Sequence, residues 1–334
     1  MPPFLDTTAY ADAIRGPNLR HAALLLLGFV GLVALPAVLV WGVAGLLAVP
    51  VVPAIVCALA VQMPPDAVMR LYRATLVPQQ DDSQLSSLVD VLAYRAELAR
   101  RPDLFVIPSL TLNAFAAGSR DHSAIAVTEG LLRRLSLVET AGVLAHEVAH
   151  IRNNDLLVMG LADVITRVLQ LMSYAALGLA LYNGLAFLTG EDPISWWVVL
   201  ALYLAPALSS LLQLGLSRAR EFQADADAAA LTGDPEALAS ALRRLETYTG
   251  HFWEDLMFPV PGRRVPHPSL LRSHPETEDR IARLLALKTA SAGQDSPNQD
   301  RHAPLVIVEQ PMVSLVGYGP GDMRPRYRWP GLWF

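Results

Sequence analysis

From Ala22 to Val61 the sequence contains no Asp, Glu, Lys or Arg, and this uncharged run constrains the fold more than any other feature. A helix that crosses the hydrocarbon core of a bilayer needs roughly 20 apolar residues, so the run is long enough for two crossings. Gly42 and Gly45 indicate a turn, which we expect near residues 40–44. A cleaved signal peptide has an apolar core of only about 7–15 residues, so we interpret the segment as a retained membrane hairpin.

Two further uncharged runs predict a second hairpin. They extend from Val168 to Gly190 and from Ile194 to Leu216, and an acidic link at 191–193 separates them. Two tryptophans begin the second run, and tryptophan favours the boundary between lipid and water. The whole chain is 53% hydrophobic and 17% charged, against about 25% charged in an average soluble domain. We therefore expect four transmembrane helices.

Basic residues flank the four predicted spans, whereas the two connecting turns contain no Lys or Arg. The flanking residues are Arg15, Arg20, Arg70, Arg73, Arg152, Arg167, Arg218 and Arg220. In membrane proteins the excess of Lys and Arg lies in the cytoplasmic loops. We therefore expect a multi-pass protein of the cell (inner) membrane, with the N-terminus, the middle domain and the C-terminal region in the cytoplasm.

Net charge and cysteine content restrict the partners and the chemistry. A net charge of −5 argues against a nucleic-acid partner, which would require a basic face. The single cysteine, Cys57, lies in the second predicted span, so the chain offers neither an internal disulfide nor a thiolate metal site. Any metal ion must therefore be held by His, Asp or Glu.

Outside the hairpins the sequence predicts an α+β domain that is mainly helical. Leucines at helical spacing predict a helix within 82–101, and apolar runs at 104–107 and 124–127 predict a β-hairpin or small sheet. Residues 131–153 predict one or two helices, the second capped by Ser136 with Glu139 three residues later. Further helices are predicted at 217–232, at 236–249, and from His274-Pro275 to about Leu287.

The stretch 143-VLAHEVAHIRNND-155 places two histidines four residues apart. Residues i and i+4 share one face of a helix, so His146 and His150 can bind one ion together, while Glu147 flanks it and reaches a water molecule. Imidazole suits zinc, which keeps an open position at catalytic sites, and the neighbouring carboxylate can act as general base. The alternative is a pair of ordinary histidines on a helix.

The segment 217-SRAREFQADADAAA-230 offers a third ligand. Glu221 and Asp225 are again four residues apart, so Glu221 can bind the ion while Asp225 orients a ligating histidine through its second ring nitrogen. The alternative is a solvated acidic face beside Arg218 and Arg220. On this segment alone, the solvated face is the better interpretation.

Four motifs of the sequence, and their order along the chain, resemble the HtpX-type branch of the M48 family of membrane zinc metalloproteases. HEVAH precedes EFQAD, with one apolar hairpin before the first motif and another between them, and 113-NAFAAG-118 and 273-SHPETEDRI-281 resemble two further segments of the family. The resemblance extends from about residue 85 to 287. It implies a gluzincin-like fold with one zinc ion per chain, in which the ligands are His146, His150 and Glu221, the general base is Glu147, and Asp225 supports a ligand from behind.

The resemblance implies roles for other segments too. The residues that would hold an extended substrate by strand addition are Asn113, Ala114, Phe115, Ala116 and Gly118; the alternative is a hairpin edge without a ligand. His274 would stabilise the oxyanion, unless it only begins a helix or His267 takes that role. Arg280 and Asp155 are candidates for bracing the site, but for both of them an ordinary surface salt bridge is the preferred interpretation.

Six segments follow from these features. We expect a cytoplasmic lead at 1–21, a membrane hairpin at 22–61, the first part of the catalytic domain at 62–167, a second hairpin at 168–216, the second part of the catalytic domain at 217–288, and a tail of unknown role at 289–334.

These features predict a zinc-dependent endopeptidase of the membrane, and the family resemblance implies that it cleaves misfolded or damaged membrane proteins in protein quality control and stress response. The expected partners are polypeptide substrates and the lipid bilayer; the oligomeric state is unknown. One alternative is a prenyl-protein processing protease of the same family, which would have more spans. A second is a non-catalytic zinc-containing scaffold or chaperone, which would close its metal site with a fourth ligand. A third is a transporter, which would carry partnered ionisable residues inside its spans; the four predicted spans hold none, and Asp163 and Arg167 lie just before the third.

Overall fold

The computed structural model describes residues 24–25, 27–32, 34–35, 38, 42–47, 64–79, 83–256 and 277–291. These residues divide into two compact units. Unit 1 contains residues 64–156 together with those from 220 onward, and unit 2 contains 157–219 together with the described residues before 48. His267, His274 and the tail after residue 291 lie outside the described residues, so their predicted roles stay predictions.

The described chain is mainly helical with one small sheet, as the sequence predicts. Its main elements in chain order are α1 (Pro65–Leu71), β1 (Thr75–Leu76), α2 (Gln84–Arg95), β2 (Asp103–Ile107), β3 (Ala114–Gly118), β4 (Ser123–Thr128), α3 (Glu129–Arg134), α4 (Leu137–Arg152), α5 (Asp155–Thr189), α6 (Trp196–Thr232), α7 (Pro235–Leu256) and α8 (Thr277–Ser291). A 3₁₀ helix at Gly42–Leu47 overlaps the turn expected in the first hairpin.

The sheet of unit 1 has the order β1-β2-β4-β3. The two predicted strands, β2 and β4, pair in parallel, and the NAFAAG segment supplies β3, which pairs antiparallel with β4 at one edge. Gly118 ends β3 with φ +99°, and a Cβ there would lie 2.2 Å from the His122 carbonyl oxygen. The β3–β4 connection therefore requires glycine at this position.

Helix α4 carries both histidines of the HEVAH motif through the core of unit 1. It begins with the predicted capping box, because Ser136 accepts from the Glu139 backbone N–H and the Glu139 side chain accepts from the Ser136 N–H. Gly142 lets α4 approach α7 closely, since a Cβ there would lie 2.9 Å from the Leu238 nitrogen. These features fix the position of α4 against the sheet and α7.

Helices α5 and α6 are each long and apolar enough to cross a membrane. They cover most of the two predicted spans and are longer than predicted, although α5 ends at Thr189, before Gly190, and α6 begins at Trp196, after Ile194. Helix α5 already begins at Asp155, and the expected separate helix at 217–232 is the last part of α6. Helical hydrogen bonds are local, and they continue from the apolar part of α6 into residues 217–232 although Pro206 and Gly215 lie within this helix.

Unit 2 packs α5 against α6 through apolar and polar contacts. Phe29, Ala162, Ile165, Leu169, Ala205 and Leu216 form its main buried cluster. The Thr166 and Ser209 hydroxyls are 2.7 Å apart, and the Asn183 amide binds both the N–H and the C=O of Ile194 at 2.8 Å. Hydrogen bonds of this kind join helices in an apolar environment. Large apolar side chains such as Phe187, 85% exposed, and Trp197, 72% exposed, cover much of the outside.

Helices α7 and α8 complete unit 1. Asp234 caps α7 by accepting from the backbone N–H groups of Glu236 and Ala237, and the helix extends beyond the predicted end at 249. Helix α8 is described from Thr277 and continues a few residues past the predicted end at Leu287. Its buried residues Ile281 and Leu284 join the core of unit 1, which places Arg280 beside α6.

Candidate metal centre

The structure brings His146, His150 and Glu221 together in unit 1. The two Nε2 atoms are 3.1 Å apart, and Glu221 lies 3.3 Å from His146 Nε2 and 3.6 Å from His150 Nε2. Zinc binds nitrogen and oxygen ligands at about 2.0–2.2 Å, so the edges of a tetrahedral site measure about 3.3–3.5 Å. The three distances therefore fit a set of ligands around one ion.

A carboxylate stands behind each histidine. Asp155 Oδ2 is 2.9 Å from His150 Nδ1, and Asp225 Oδ1 is 3.0 Å from His146 Nδ1, close in distance although not aligned as a full hydrogen bond. A carboxylate next to Nδ1 favours the tautomer that carries its proton on Nδ1. The lone pair of Nε2 then points toward the other ligands. Two such lone pairs and the Glu221 carboxylate repel one another unless a cation lies between them, so the donor set fits a divalent metal.

Without a metal ion, this crowding of negative charge raises the affinity of both histidines for protons. Burial lowers the pKa of His146, but Asp225 and Glu221 outweigh burial and raise this pKa to about 10. Burial also lowers the pKa of His150, and Asp155 outweighs it, so that the pKa is raised. The cluster attracts positive charge, whether a proton or a metal ion supplies it.

Glu147 lies beside the histidines without belonging to the group of three. It is 4% exposed, and burial raises the pKa of its carboxyl, whereas His146 and His150 oppose the rise. The backbone N–H of Ala116 on β3 also opposes the rise in this pKa, because it stabilises the charged carboxylate. A buried carboxylate next to an open metal site has the position and the basicity of a general base.

Strand β3 presents a free edge to the region of Glu147. The N–H of Thr128 donates to the Asn113 carbonyl, and the N–H of Ser119 donates to the His122 carbonyl. Because backbone directions alternate along an antiparallel strand, residues 113, 115, 117 and 119 face β4, whereas Ala114, Ala116 and Gly118 direct their N–H and C=O groups away from it. Among the described residues, three of the five predicted to hold substrate, Ala114, Ala116 and Gly118, thus form an edge that can accept another strand, whereas Asn113 and Phe115 face β4.

Two arginines stand behind the carboxylates. Arg280, 3% exposed, donates to both oxygens of Asp225 and contacts Glu221, while Arg220 lies 3.1 Å from Asp155 Oδ1. The preferred interpretation of Arg280 and Asp155 as surface salt bridges is therefore wrong. The solvated acidic face considered for Glu221 and Asp225 is wrong as well, because these two are 6% and 4% exposed. Their partners come from distant segments of the chain, which the local sequence does not reveal.

One buried residue has no place in the sequence-based prediction. Asp227 is fully buried, accepts from the Asn153 amide at 2.6 Å and pairs with Arg152 at 3.1 Å. It joins the end of α4 to α6. Its only signal in the sequence is a third acidic residue in EFQADAD.

Comparison with known proteins identifies the family. The model of Peptidase family M48 matches residues 79–288, more than half of the chain. The chain belongs to this family. This M48 peptidase is similar to the Protease HtpX homolog of Acaryochloris marina, at 43% identity over 65% of this chain and 76% of the relative. It is also similar to the Protease HtpX homolog of Desulfatibacillum aliphaticivorans, at 35% identity over 69% of this chain and 76% of the relative. A third relative is the Protease HtpX homolog of Pyrococcus furiosus, at 37% identity over 65% of this chain and 78% of the relative.

The family membership confirms the resemblance noted in the sequence: the chain is an HtpX-type membrane metalloprotease. A solved structure is also similar, the crystal structure of S. mikatae Ste24p, with a TM-score of 0.45 and 22% identity. This match covers 82% of the M48 peptidase and 65% of Ste24p, slightly less than two thirds of that chain.

Proposed function

We propose that this M48 peptidase is a zinc endopeptidase of the cell (inner) membrane, which degrades misfolded or damaged membrane proteins as part of protein quality control. The observation that carries the proposal is the convergence of three ligand atoms beside the buried carboxylate of Glu147. The names of the HtpX homologs support protease activity. In the proposed quality-control role, the substrates of this protease are membrane proteins that share the bilayer with the enzyme.

In the proposed site, His146, His150 and Glu221 hold one zinc ion, with Asp225 and Asp155 behind the histidines. A bound zinc would supply Lewis-acid polarisation of the scissile carbonyl and lower the pKa of the attacking water. Glu147 accepts the proton of that water and passes it to the leaving amine. The Ala116 N–H keeps the Glu147 carboxylate turned toward β3, where the substrate backbone would lie.

The free edge of β3 would bind the substrate as an added strand. The outward groups of Ala114, Ala116 and Gly118 offer backbone hydrogen bonds that do not depend on substrate sequence. The small side chains of this strand leave room for varied substrate residues. An enzyme for damaged proteins needs this tolerance. His274 as an oxyanion-stabilising residue remains part of the proposal.

The membrane arrangement that we propose has four transmembrane helices and a cytoplasmic, gluzincin-like catalytic domain, with the boundaries given by the sequence. Helices α5 and α6 support the second hairpin by their length and apolar surface. The uncharged run before residue 62 and the flanking arginines support the first hairpin and the orientation.

The decisive experiment compares the wild-type protein with Glu147→Gln. Both are purified in detergent, stripped with a chelator, supplied with zinc and incubated with unfolded casein while bound metal is counted. We expect about one zinc per chain in both proteins and cleavage by the wild type alone. Zinc binding without cleavage by either protein, including cleavage of their own chains, would favour a non-catalytic scaffold.

A further inference from the structure

Arg280 makes three contacts with two carboxylates of α6, those of Asp225 and Glu221. Its Nε and Nη2 donate to Asp225 at 2.7 and 2.6 Å, and its Nη1 lies 3.2 Å from Glu221 Oε2. We propose that Arg280 is a positioning residue of the metal centre, which fixes Glu221 directly and His146 through Asp225. The proposal rests on the zinc binding proposed above.

The guanidinium group suits this role because its donors lie in one plane at fixed angles. A fork of two N–H groups defines both the position and the plane of the Asp225 carboxylate. The third contact restricts the Glu221 oxygen that faces His146. A lysine ammonium could supply the charge but not these fixed directions.

Burial makes the loss of these contacts costly in free energy. Arg280 and Asp225 are 3% and 4% exposed, so neither charge can exchange its partner for water without a large cost. The buried centre contains four carboxylates, those of Glu147, Asp155, Glu221 and Asp225, and two guanidinium groups, those of Arg220 and Arg280. With neutral histidines and ionised carboxylates this leaves two negative charges, which one divalent cation neutralises.

The two arginines are not equivalent. The side chain of Arg220 is 20% exposed and lies near one oxygen of a single carboxylate, that of Asp155. The side chain of Arg280 is only 4% exposed and contacts two carboxylates. Arg280 also arrives from α8, a helix distant in sequence from HEVAH and EFQAD. The metal centre of unit 1 is therefore completed by a segment outside both motifs.

Helix α8 provides a matched control for the test. The Arg283 guanidinium lies 3.7 Å from the centre of the Phe222 ring, next to Glu221 in the chain, and so joins α8 to α6 through a ring face instead of a carboxylate. Arg283→Gln weakens the docking of α8 without altering the contacts of Arg280. Arg280→Gln removes the contacts themselves, and Arg280→Lys keeps the charge while losing the fork.

The test uses the full-length protein in detergent, stripped of metal. Zinc affinity is measured by competition with a chromogenic chelator, the ligand geometry by the visible spectrum of the cobalt(II) form, and folding by the melting temperature. We expect a 10–100-fold loss of zinc affinity in Arg280→Gln, the range typical for groups that support metal ligands. Arg280→Lys should show an intermediate loss at a melting temperature near that of the wild type, and Arg283→Gln should bind zinc within about twofold of the wild type. The cobalt spectrum should change in both Arg280 variants but not in Arg283→Gln.

Two results would overturn the proposal while leaving zinc binding intact. In one, both Arg280 variants keep wild-type affinity and the wild-type cobalt spectrum. In the other, Arg283→Gln loses as much affinity as Arg280→Gln, which would mean that Arg280 acts only by docking α8. A wild-type protein that binds no zinc would instead overturn the proposed function itself, together with this inference.

Discussion

The Asn153 amide donates a hydrogen bond of 2.6 Å to the fully buried carboxylate of Asp227. Asn153 is the C-cap residue of α4, and Asp227 lies on α6 two residues beyond Asp225. The contact therefore joins the end of the helix that carries both histidines to the helix that carries Glu221. The distance between these two helices determines whether the three ligand atoms meet.

We expect Asp227→Ala to destabilise unit 1 by about 2–4 kcal/mol, because it leaves the Asn153 amide and the Arg152 guanidinium without their buried acceptor. Asp227→Asn keeps an acceptor oxygen for Asn153 and should lose less. The melting temperature of the metal-free protein in detergent measures both effects. Equal melting temperatures for Asp227→Ala and the wild type would show that the contact contributes nothing to folding.

The pKa of His146 predicts that zinc binding releases protons. In the metal-free protein this pKa is about 10, so at pH 7 the ring is protonated and must lose its proton before Nε2 can bind a metal. Calorimetry at pH 7 in buffers of different ionisation enthalpy should show release of at least about one proton per zinc. Apparent affinity should rise about tenfold per pH unit from pH 7 toward 10. Binding without proton release at pH 7 would contradict the raised pKa.

The same pKa determines how the stability of the metal-free protein depends on pH. The folded-state pKa of His146 lies above the ordinary value of 6.5, so its contribution to stability is fully present below pH 6.5 and is lost as the pH rises through about 10. The melting temperature of the metal-free protein should therefore fall between pH 7 and 10. The zinc-bound protein should lack this contribution, because the metal replaces the proton.

The sequence predicts those features that depend on neighbouring residues. The spacing of His146 and His150, the capping box of Ser136 and Glu139, and the β-branched and apolar runs of β2 and β4 are all local patterns, and the structure contains each of them. The helical spacing of Glu221 and Asp225 also holds. Local geometry is largely determined by positions within one helical turn or one strand.

The features that the sequence does not predict depend on residues far apart in the chain. Arg280 pairs with Asp225, 55 positions earlier, and Arg152 pairs with Asp227, 75 positions later. A charged residue is most often exposed, so the burial of Arg280, Asp225 and Asp227 cannot be inferred without knowing their partners. Likewise, the parallel pairing of β2 with β4 depends on β3 taking the edge position.

Glycines in two different environments give opposite predictions. Gly142 on α4 lies against α7, where an added Cβ would be 2.9 Å from the Leu238 nitrogen and 3.0 Å from its Cα, whereas a Cβ added at Gly160 on α5 would meet no neighbouring element within 4 Å in the described part of the chain. We expect Gly142→Ala to destabilise by about 1–3 kcal/mol through overpacking. Gly160→Ala should stabilise its helix by up to about 1 kcal/mol. Thermal unfolding of the two variants tests the pair, and a destabilising Gly160→Ala would contradict the packing described for α5.

The free edge of β3 predicts that proline at two adjacent positions has different effects. The Ala116 N–H points away from β4 and stabilises the charged form of Glu147, so Ala116→Pro removes no bond of the sheet. It removes the N–H that stabilises this carboxylate and blocks strand addition. Loss of a hydrogen bond to a charged group costs about 1.5–3 kcal/mol, so we expect casein cleavage to fall at least about tenfold while zinc binding and the melting temperature stay near the wild-type values.

Ala117→Pro is the matched control, because the Ala117 N–H faces β4 and proline there breaks the ladder. This variant should lower the melting temperature and weaken zinc binding together with cleavage. Cleavage by Ala116→Pro at the wild-type rate would mean that substrates bind elsewhere and that the Ala116 N–H does not support Glu147. Loss of folding in Ala116→Pro but not in Ala117→Pro would reverse the assignment of inward and outward residues on β3.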